Sequence, residues 1–245
     1  AIRCDIYTDV EGVFTADPRI VSNAKKMEEI NYEEMLELSS LGAKVLHTRS
    51  VQIALKYNVN MQVLSSFNEK KGTMLIKDKK HLEGQVVRGI AHNNNDSLVT
   101  LTNVRNKPGV SAIIFNALSK EGINVDMIVQ SGSSKDEKVT YAFTVAKTDS
   151  TKTKSVMLQL KKKIAFNEVI VNKEICKVSV VGLGMKTNAG VANMMFSQLA
   201  KNNINIHVIS TSEIKISVLI DDKYKELALR SLHKVFELDK VKRKK

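Results

Sequence analysis

Tryptophan is missing from this chain, proline and cysteine occur twice each, and each scarcity excludes something. Cys4 and Cys176 lie far apart and form no CxxC pair. A disulfide scaffold is therefore excluded, and a reducing cytoplasm is the expected compartment. The histidines His47, His81, His92, His207 and His233 show no metal-ligand spacing, so no structural metal is expected. No apolar run is long enough to span a bilayer, and no basic-then-apolar signal segment opens the chain, so no membrane partner is expected. Neither a GxxxxGK[ST] loop nor a kinase-type GxGxxG occurs, and Gly182 and Gly184 make only a lone GxG. No Ser/His/Asp or Cys/His set can be assembled. Aromatic residues are only 5% of the chain, few for stacking on bases.

What is present is a basic chain of 245 residues with a formal charge of +12. That length suits two domains, or one and a half with a linker, and the composition is that of an ordered globular protein. Part of the charge is local, in Lys161 to Lys163 and in the tail from Lys240 to Lys245, which read as a solvated helix face and a frayed end. A basic field favours ATP and dicarboxylates as well as nucleic acid, so charge does not select the partner. An RNA-binding protein built on small sandwiches is one alternative. It would need exposed aromatics on its sheets, where Val, Ile and Thr are expected instead, and no nucleic-acid partner is expected.

Residues Tyr7 to Arg19 are the densest polar run. Two aspartates, two threonines, Gly12 and Arg19 fall within thirteen positions, between an apolar start and a polar helix entry. Gly12 allows close approach of backbone to a ligand, and Arg19 can fork onto a phosphate. Thr8 and Asp9 come at a predicted strand end, where α/β sheets bind ligands. Asp9 suits a ribose, a base or water-mediated Mg²⁺. Lys44, just after Gly42, is a candidate phosphate partner. The plainer reading is a polar connection between a strand and a helix, with Lys44 an ordinary exposed lysine.

The first 66 residues alternate strand and helix. Strands are predicted at Arg3 to Thr8 and Met61 to Ser65, and helices at Asn31 to Leu41 and Leu46 to Lys56. Asn31 with Glu34 three residues on is a capping-box pattern, and Gly42 ends the run. Glu33, Glu34 and Glu37 read as solvated helix surface. Residues 67–85 are polar and lysine-rich around the apolar patch Thr73 to Ile76.

An internal repeat follows. Residues 109–131 align without gaps to residues 190–212, sharing Gly109/Gly190, Val110/Val191, Phe115/Phe196, Leu118/Leu199, Ile123/Ile204, Asn124/Asn205 and Ile128/Ile209. A period of 81 residues is domain-sized, so the reading is a duplicated module. Each copy parses as strand, helix, two strands and helix, a βαββαβ sandwich. The second copy has no clear last strand after Phe236, and a spare strand at Gln85 to His92 can fill that place. The loops from Asn103 to Gly109 and from Gly184 to Gly190 lead into helix starts, where free N–H groups favour a carboxylate. Asn124, Asp126 and Gln130 alternate on one face of the next strand and suit an amino group. A small amino acid is the natural ligand, held between that loop and that strand. The plainer reading is turn and edge polarity.

The segments Tyr7 to Val21, Tyr32 to Glu37, Leu41 to His47, Arg49 to Val51, Val63 to Phe67 and Gly72 to Met74 resemble, in order, the last third of an aspartate kinase catalytic domain. Lys107 to Gly109, Ile123 to Gln130 and Ile209 to Ser217 are similar to the paired ACT domains that follow it in that family. The resemblance covers nearly the whole chain. It implies an α/β fold: a partial amino-acid-kinase lobe over 1–76, a connector at 77–84, a first ferredoxin-like ACT domain at 97–172, and a second, discontinuous one made of 85–96 with 173–245. It implies ATP contacts at Thr8, Asp9, Phe14, Arg19 and Lys44, with Mg²⁺ on the nucleotide. Members often carry Tyr where Phe14 stands, and some carry Asp where Asn106 stands.

The resemblance further implies lysine or threonine as feedback effectors. The matching positions are Asn106, Gly109, Ser111, Ile123, Asn124, Val125, Asp126 and Gln130 in the first copy, and Val191, Ala192, Asn205, Ile206 and Glu213 in the second. A homodimer or hetero-oligomer through the ACT domains is implied as well. The family's opening Lys-Phe-Gly-Gly segment and its aspartate-binding residues have no counterpart here, and the first residue is Ala1. The chain thus reads as a C-terminal portion that is inactive by itself. The alternative is a non-catalytic regulatory subunit that binds amino acids.

Overall fold

The computed structural model describes residues 2–43, 45–77, 85–132 and 137–240, with the backbone alone at Lys186. Lys44, His81, most of the expected connector and the tail beyond Lys240 lie outside the described residues. The chain divides into two compact units. One combines residues up to Asn93 with those from Lys177 onward, and the other is Asn94–Cys176.

The larger unit begins with β1 (Cys4–Thr8), β2 (Glu29–Asn31), α1 (Tyr32–Ser40), α2 (Thr48–Tyr57), β3 (Met61–Ser65) and β4 (Thr73–Ile76). Their sheet has the order β1-β3-β4-β2. β1 runs parallel to β3, Cys4 opposite Met61 and Thr8 opposite Ser65, while β4 is antiparallel to β3 and parallel to β2. β2 has three residues, too few for period-2 alternation to register in the sequence. α1 is capped as its sequence predicts: the Asn31 side chain accepts from Glu33 N–H at 2.8 Å, and Glu34 reaches back to Asn31 N–H at 3.4 Å. Its apolar face, Met35 and Leu38, packs with Val13, Ile30, Val51, Val63 and Leu75 in one core.

Two expectations from this stretch need correction. Glu34 is not solvated but 4% exposed, because its carboxylate also accepts the Leu183 N–H at 3.0 Å. Glu37 is half-buried in an ion pair with Lys215 at 2.9 Å. Gly12 does allow a close approach, but to protein. At φ +145°, its missing Cβ would stand 2.5 Å from the Thr73 hydroxyl. That hydroxyl accepts from Val13 N–H (2.8 Å) and donates to the Met27 carbonyl (2.6 Å), tying the loop to β4.

β5 (Gly89–Asn93) comes next. The smaller unit then runs β6 (Asp96–Arg105), α3 (Val110–Lys120), β7 (Val125–Ser131), β8 (Lys138–Ala146), α4 (Ser150–Ile164) and β9 (Glu168–Asn172). Its sheet is antiparallel throughout, in the order β7-β8-β6-β9. Val99, Leu101, Ile114, Leu118, Phe143 and Met157 fill the core between sheet and helices. The larger unit resumes with β10 (Ile175–Val181), α5 (Val191–Lys201), β11 (Val208–Thr211), β12 (Lys215–Asp221) and α6 (Lys225–Val235). These strands form the order β11-β12-β10-β5, with Lys177 opposite Asn93. β5 therefore stands where β9 stands in the other copy.

The duplication extends to packing. α3 buries Val110, Ile114 and Leu118, and α5 buries Val191, Met195 and Leu199, the same i, i+4, i+8 stripe in each.

Candidate functional site

Two regions carry the candidate residues. In the larger unit, β1 ends at Thr8, whose hydroxyl is bonded to Val10 N–H at 3.1 Å while its carbonyl accepts from Ser66 N–H at 2.8 Å. The chain then leaves the sheet into an exposed Asp9. Beyond Gly12 it forms a hairpin-like loop. Phe14 pairs with Lys26, and Thr15 N–H donates to the Lys25 carbonyl at 2.9 Å.

That loop carries Arg19. Its guanidinium forks onto Asp17, Nε to Oδ1 at 3.0 Å and Nη2 to Oδ2 at 2.8 Å, and Arg19 N–H closes an Asx turn on the same carboxylate. The Arg19 side chain remains 83% exposed. Hydrogen bonding from Arg19 holds the Asp17 carboxyl below its ordinary range, and His92 adds a smaller pull in the same direction. Arg19 is raised chiefly by Asp17, with Asp9 contributing through space. Asp9 and Arg19 thus share one electrostatic neighbourhood, ten residues apart in sequence. Among the described residues no group of three or more His, Cys, Asp or Glu side chains can hold a metal ion. A lone exposed carboxylate such as Asp9 still suits Mg²⁺, which keeps most of its waters and binds through one or two protein carboxylates and nucleotide phosphates.

Sequence reasoning missed three neighbours of this loop. Asp17 lies within the Tyr7–Arg19 run, and its Asp-Pro-Arg spacing is the Asx-turn signal for the pairing with Arg19. His92 is pushed down by burial, against the pull of Asp17. His233 is fully buried with Nε2 2.9 Å from the Thr15 hydroxyl, a contact across 218 residues that no local pattern announces.

In the smaller unit a cavity of about 290 Å³ is lined by Phe115, Ser119, Gly122, Ile123, Asn124, Val125 and Ile128. It takes in three of the predicted effector positions, Ile123, Asn124 and Val125. It opens at the C-terminal end of α3, whereas the sequence reading put the ligand beside the helix start. Asn106, Gly109 and Ser111 sit at that start. Ser111 is bonded to the Tyr141 hydroxyl at 2.8 Å, and Gln130 lies opposite Tyr141 in the sheet. The reason is geometric: β7 returns antiparallel along α3, and eleven helical residues span about 16 Å. One copy of this unit therefore holds its predicted contacts in two groups. Asp126 lies between them at a β-bulge, where Met127 N–H donates to the Thr144 hydroxyl at 3.0 Å.

In the second copy, Val191 is buried, Ala192 and Ile206 are half-buried, and Asn205 and Glu213 are exposed. The loop before α5 is a 3-10 turn from Leu183 to Thr187, pinned by Asn188 Nδ2 to the Gly184 carbonyl at 2.7 Å. Its first N–H is the one bound by Glu34. Burial raises the Glu34 pKa, while the Leu183 N–H, Arg88 and the Asn31 N–H oppose the rise. The exposed aromatics among the described residues, Tyr7, Tyr57 and Phe67, all fall before β5, so neither duplicated sheet offers a stacking platform for bases. No described helix is long and apolar enough to cross a membrane.

Known proteins match along these lines. Residues 1–65 match the amino acid kinase family, and residues 99–157 and 178–236 each match the ACT domain. The aspartate kinase of Pseudomonas putida is 48% identical over 240 residues, covering 98% of this chain and 58% of that protein. The chain thus spans about three fifths of the length of this curated relative. A crystal structure of aspartokinase alpha and beta subunits is 43% identical with a TM-score of 0.58, covering 62% of this chain and 99% of that one. Aspartokinase III of E. coli, solved with aspartate and ADP, is 29% identical with a TM-score of 0.83, covering 96% and 52%. The same enzyme has been solved with lysine and aspartate, at 30% identity and a TM-score of 0.76, covering 96% and 52%.

Proposed function

Because the chain belongs to the aspartate kinase family, we propose that it is the C-terminal portion of an aspartate kinase. Such an enzyme transfers the terminal phosphoryl group of ATP to the side-chain carboxylate of L-aspartate, giving ADP and 4-phospho-L-aspartate. In this reading residues 1–76 end the kinase lobe, 77–84 connect, 97–172 form the first ACT domain, and 85–96 with 173–245 form the second. Thr8, Asp9, Phe14, Arg19 and Lys44 meet the nucleotide. Phosphoryl transfer depends chiefly on positioning and on neutralising charge. Arg19, already held in a plane by Asp17, supplies a fork of the right shape for a phosphate. Mg²⁺ travels with the nucleotide phosphates, and Asp9 is the residue to receive it.

The ACT domains bind lysine, threonine or both, and shift the populations of two arrangements so that a distant site responds. The enzyme works in the cytoplasm as a homodimer or hetero-oligomer. The observation that carries this reading is that one chain matches the amino acid kinase family over residues 1–65 and the ACT domain over 99–157 and 178–236. This chain alone is inactive, since it holds only part of a kinase lobe. Calorimetric titration with lysine and with threonine tests the reading. Heat is expected from at least one, and silence with both refutes it. Turnover of ATP and aspartate by the purified 245-residue chain would overturn its inactivity. A solved regulatory subunit of aspartate kinase from Thermus thermophilus, 36% identical and matched over 99% of its length, favours a second reading, a free regulatory subunit. Residues 1–65, which match the amino acid kinase family, argue against that, because such a subunit has no use for them.

A further inference from the structure

The loop that carries Arg19 is anchored to the second duplicated module. Thr15 opens the loop. Its hydroxyl accepts the Lys25 N–H at 3.0 Å and lies 2.9 Å from His233 Nε2 on α6. Both side chains are buried, His233 completely. The Thr15 carbonyl accepts the Ile90 N–H at 2.8 Å, from β5 of the same module. Near the tip, Arg230 Nε of α6 donates to the Ile20 carbonyl at 2.9 Å, and Asn23 Nδ2 donates to Asp239 at 3.3 Å. Apart from the Thr15–Lys25 bond, which closes the loop on itself, each of these bonds joins residues 15–23 to a residue of the module that contains α6. Burial pushes the His233 pKa down and so favours the uncharged ring. Among the described residues its Nδ1 makes no hydrogen bond, and the ring's hydrogen-bond partner is Thr15.

We propose that His233 and Thr15 form a positioning pair through which the second module holds the Arg19 loop in place for the nucleotide phosphates. The proposal rests on the reading of this loop as a nucleotide site. His233 touches no substrate; it acts through Thr15, four residues before Arg19. Fixing the base of the loop limits how far the guanidinium can wander. A displacement of about 1 Å at such a group is enough to change rate or affinity by orders of magnitude. The same bonds give a regulatory module a mechanical hold on a catalytic loop.

The test uses the full-length enzyme that contains this chain, with steady-state kinetics in ATP and in aspartate. Thr15→Val and His233→Leu remove the pair with little change in volume. Each is expected to raise KM for ATP about tenfold, the effect of losing one buried hydrogen bond, with KM for aspartate unchanged. His233→Gln places an amide near the position of Nε2 and is expected to keep KM for ATP within about twofold. The double variant is expected to be no worse than either single one. A lowered melting temperature with unchanged KM for ATP overturns the proposal, because it makes the pair merely structural. Should the two apolar variants fail to fold, Arg230→Ala carries the test from an exposed site. A rise of about threefold in KM for ATP supports the proposal, and no change overturns it. Wild-type enzyme that binds no ATP removes the nucleotide reading itself, an outcome distinct from either.

Discussion

Glu34→Ala is the sharpest perturbation of the larger unit, because one carboxylate there serves three partners. Oε1 accepts from Leu183 N–H at 3.0 Å, Oε2 closes the capping box on Asn31 N–H at 3.4 Å, and Arg88 Nε lies 3.8 Å away. A charge-assisted hydrogen bond to a half-buried amide is worth about 1.5–3 kcal/mol, and its loss leaves the Leu183 N–H unsatisfied. Half of a capping box is worth about 0.5–1 kcal/mol. The long Arg88 pair adds less than about 1 kcal/mol. Against these stands the desolvation of the carboxylate, the largest influence on its pKa, which it raises. The lost bonds sum to about 2–5 kcal/mol, and relief of desolvation reduces the expected net loss to about 1–3 kcal/mol. Urea denaturation should show it as a lower midpoint with an unchanged slope, and hydrogen exchange at the Leu183 amide should accelerate in parallel. Glu34→Gln keeps an acceptor and should lose less than half as much. If Glu34→Ala loses under about 0.5 kcal/mol, the carboxylate does not join helix to loop as argued, and the reasoning fails.

Gly12→Ala places a methyl against the Thr73 hydroxyl and forces an L residue into φ +145°, so a loss of about 2–4 kcal/mol is expected in thermal melts; a neutral result would refute the close approach. Burial depresses the pKa of both His92 and His233 below the unfolded value of about 6.5. Their contribution is therefore complete above about pH 6.5 and is lost as pH falls through the window down to the folded values. Melting temperatures should drop on acidification from neutrality, and His233→Gln should flatten that dependence; an unchanged slope refutes it. Glu34, with its raised pKa, acts in the opposite sense, its contribution fading as pH rises above about 4.3. Ile114→Ala, at a position with no exposure in the smaller unit, should cost about 2–5 kcal/mol by calorimetry, and a cost below about 1 kcal/mol would mean the stripe is not core.

Local pattern carried a good deal of this protein. The capping box at Asn31 and Glu34 formed because both partners lie within one helical turn, and the strand from Met61 to Ser65 appears with the bounds its alternation predicts. The gapless repeat placed α3 and α5, and with them a shared burial stripe, since like sequences bury like faces. β2 escaped notice because three residues hold no period.

What the order of residues determined alone was therefore the short-range part: caps, strand and helix periods, the duplication, and the resemblance to the aspartate kinases. Tertiary structure alone decided where buried polar groups find partners. Glu34 meets Leu183 across 149 residues, and Thr15 meets His233 across 218. It also decided that Gly12 makes room for Thr73, and that Asn124, just before β7, and Gln130, within it, lie toward opposite ends of α3. The physical reason is the same in each case: a buried polar atom must be satisfied by whatever the fold brings near it, and that neighbour is set by packing of distant segments rather than by any local spacing.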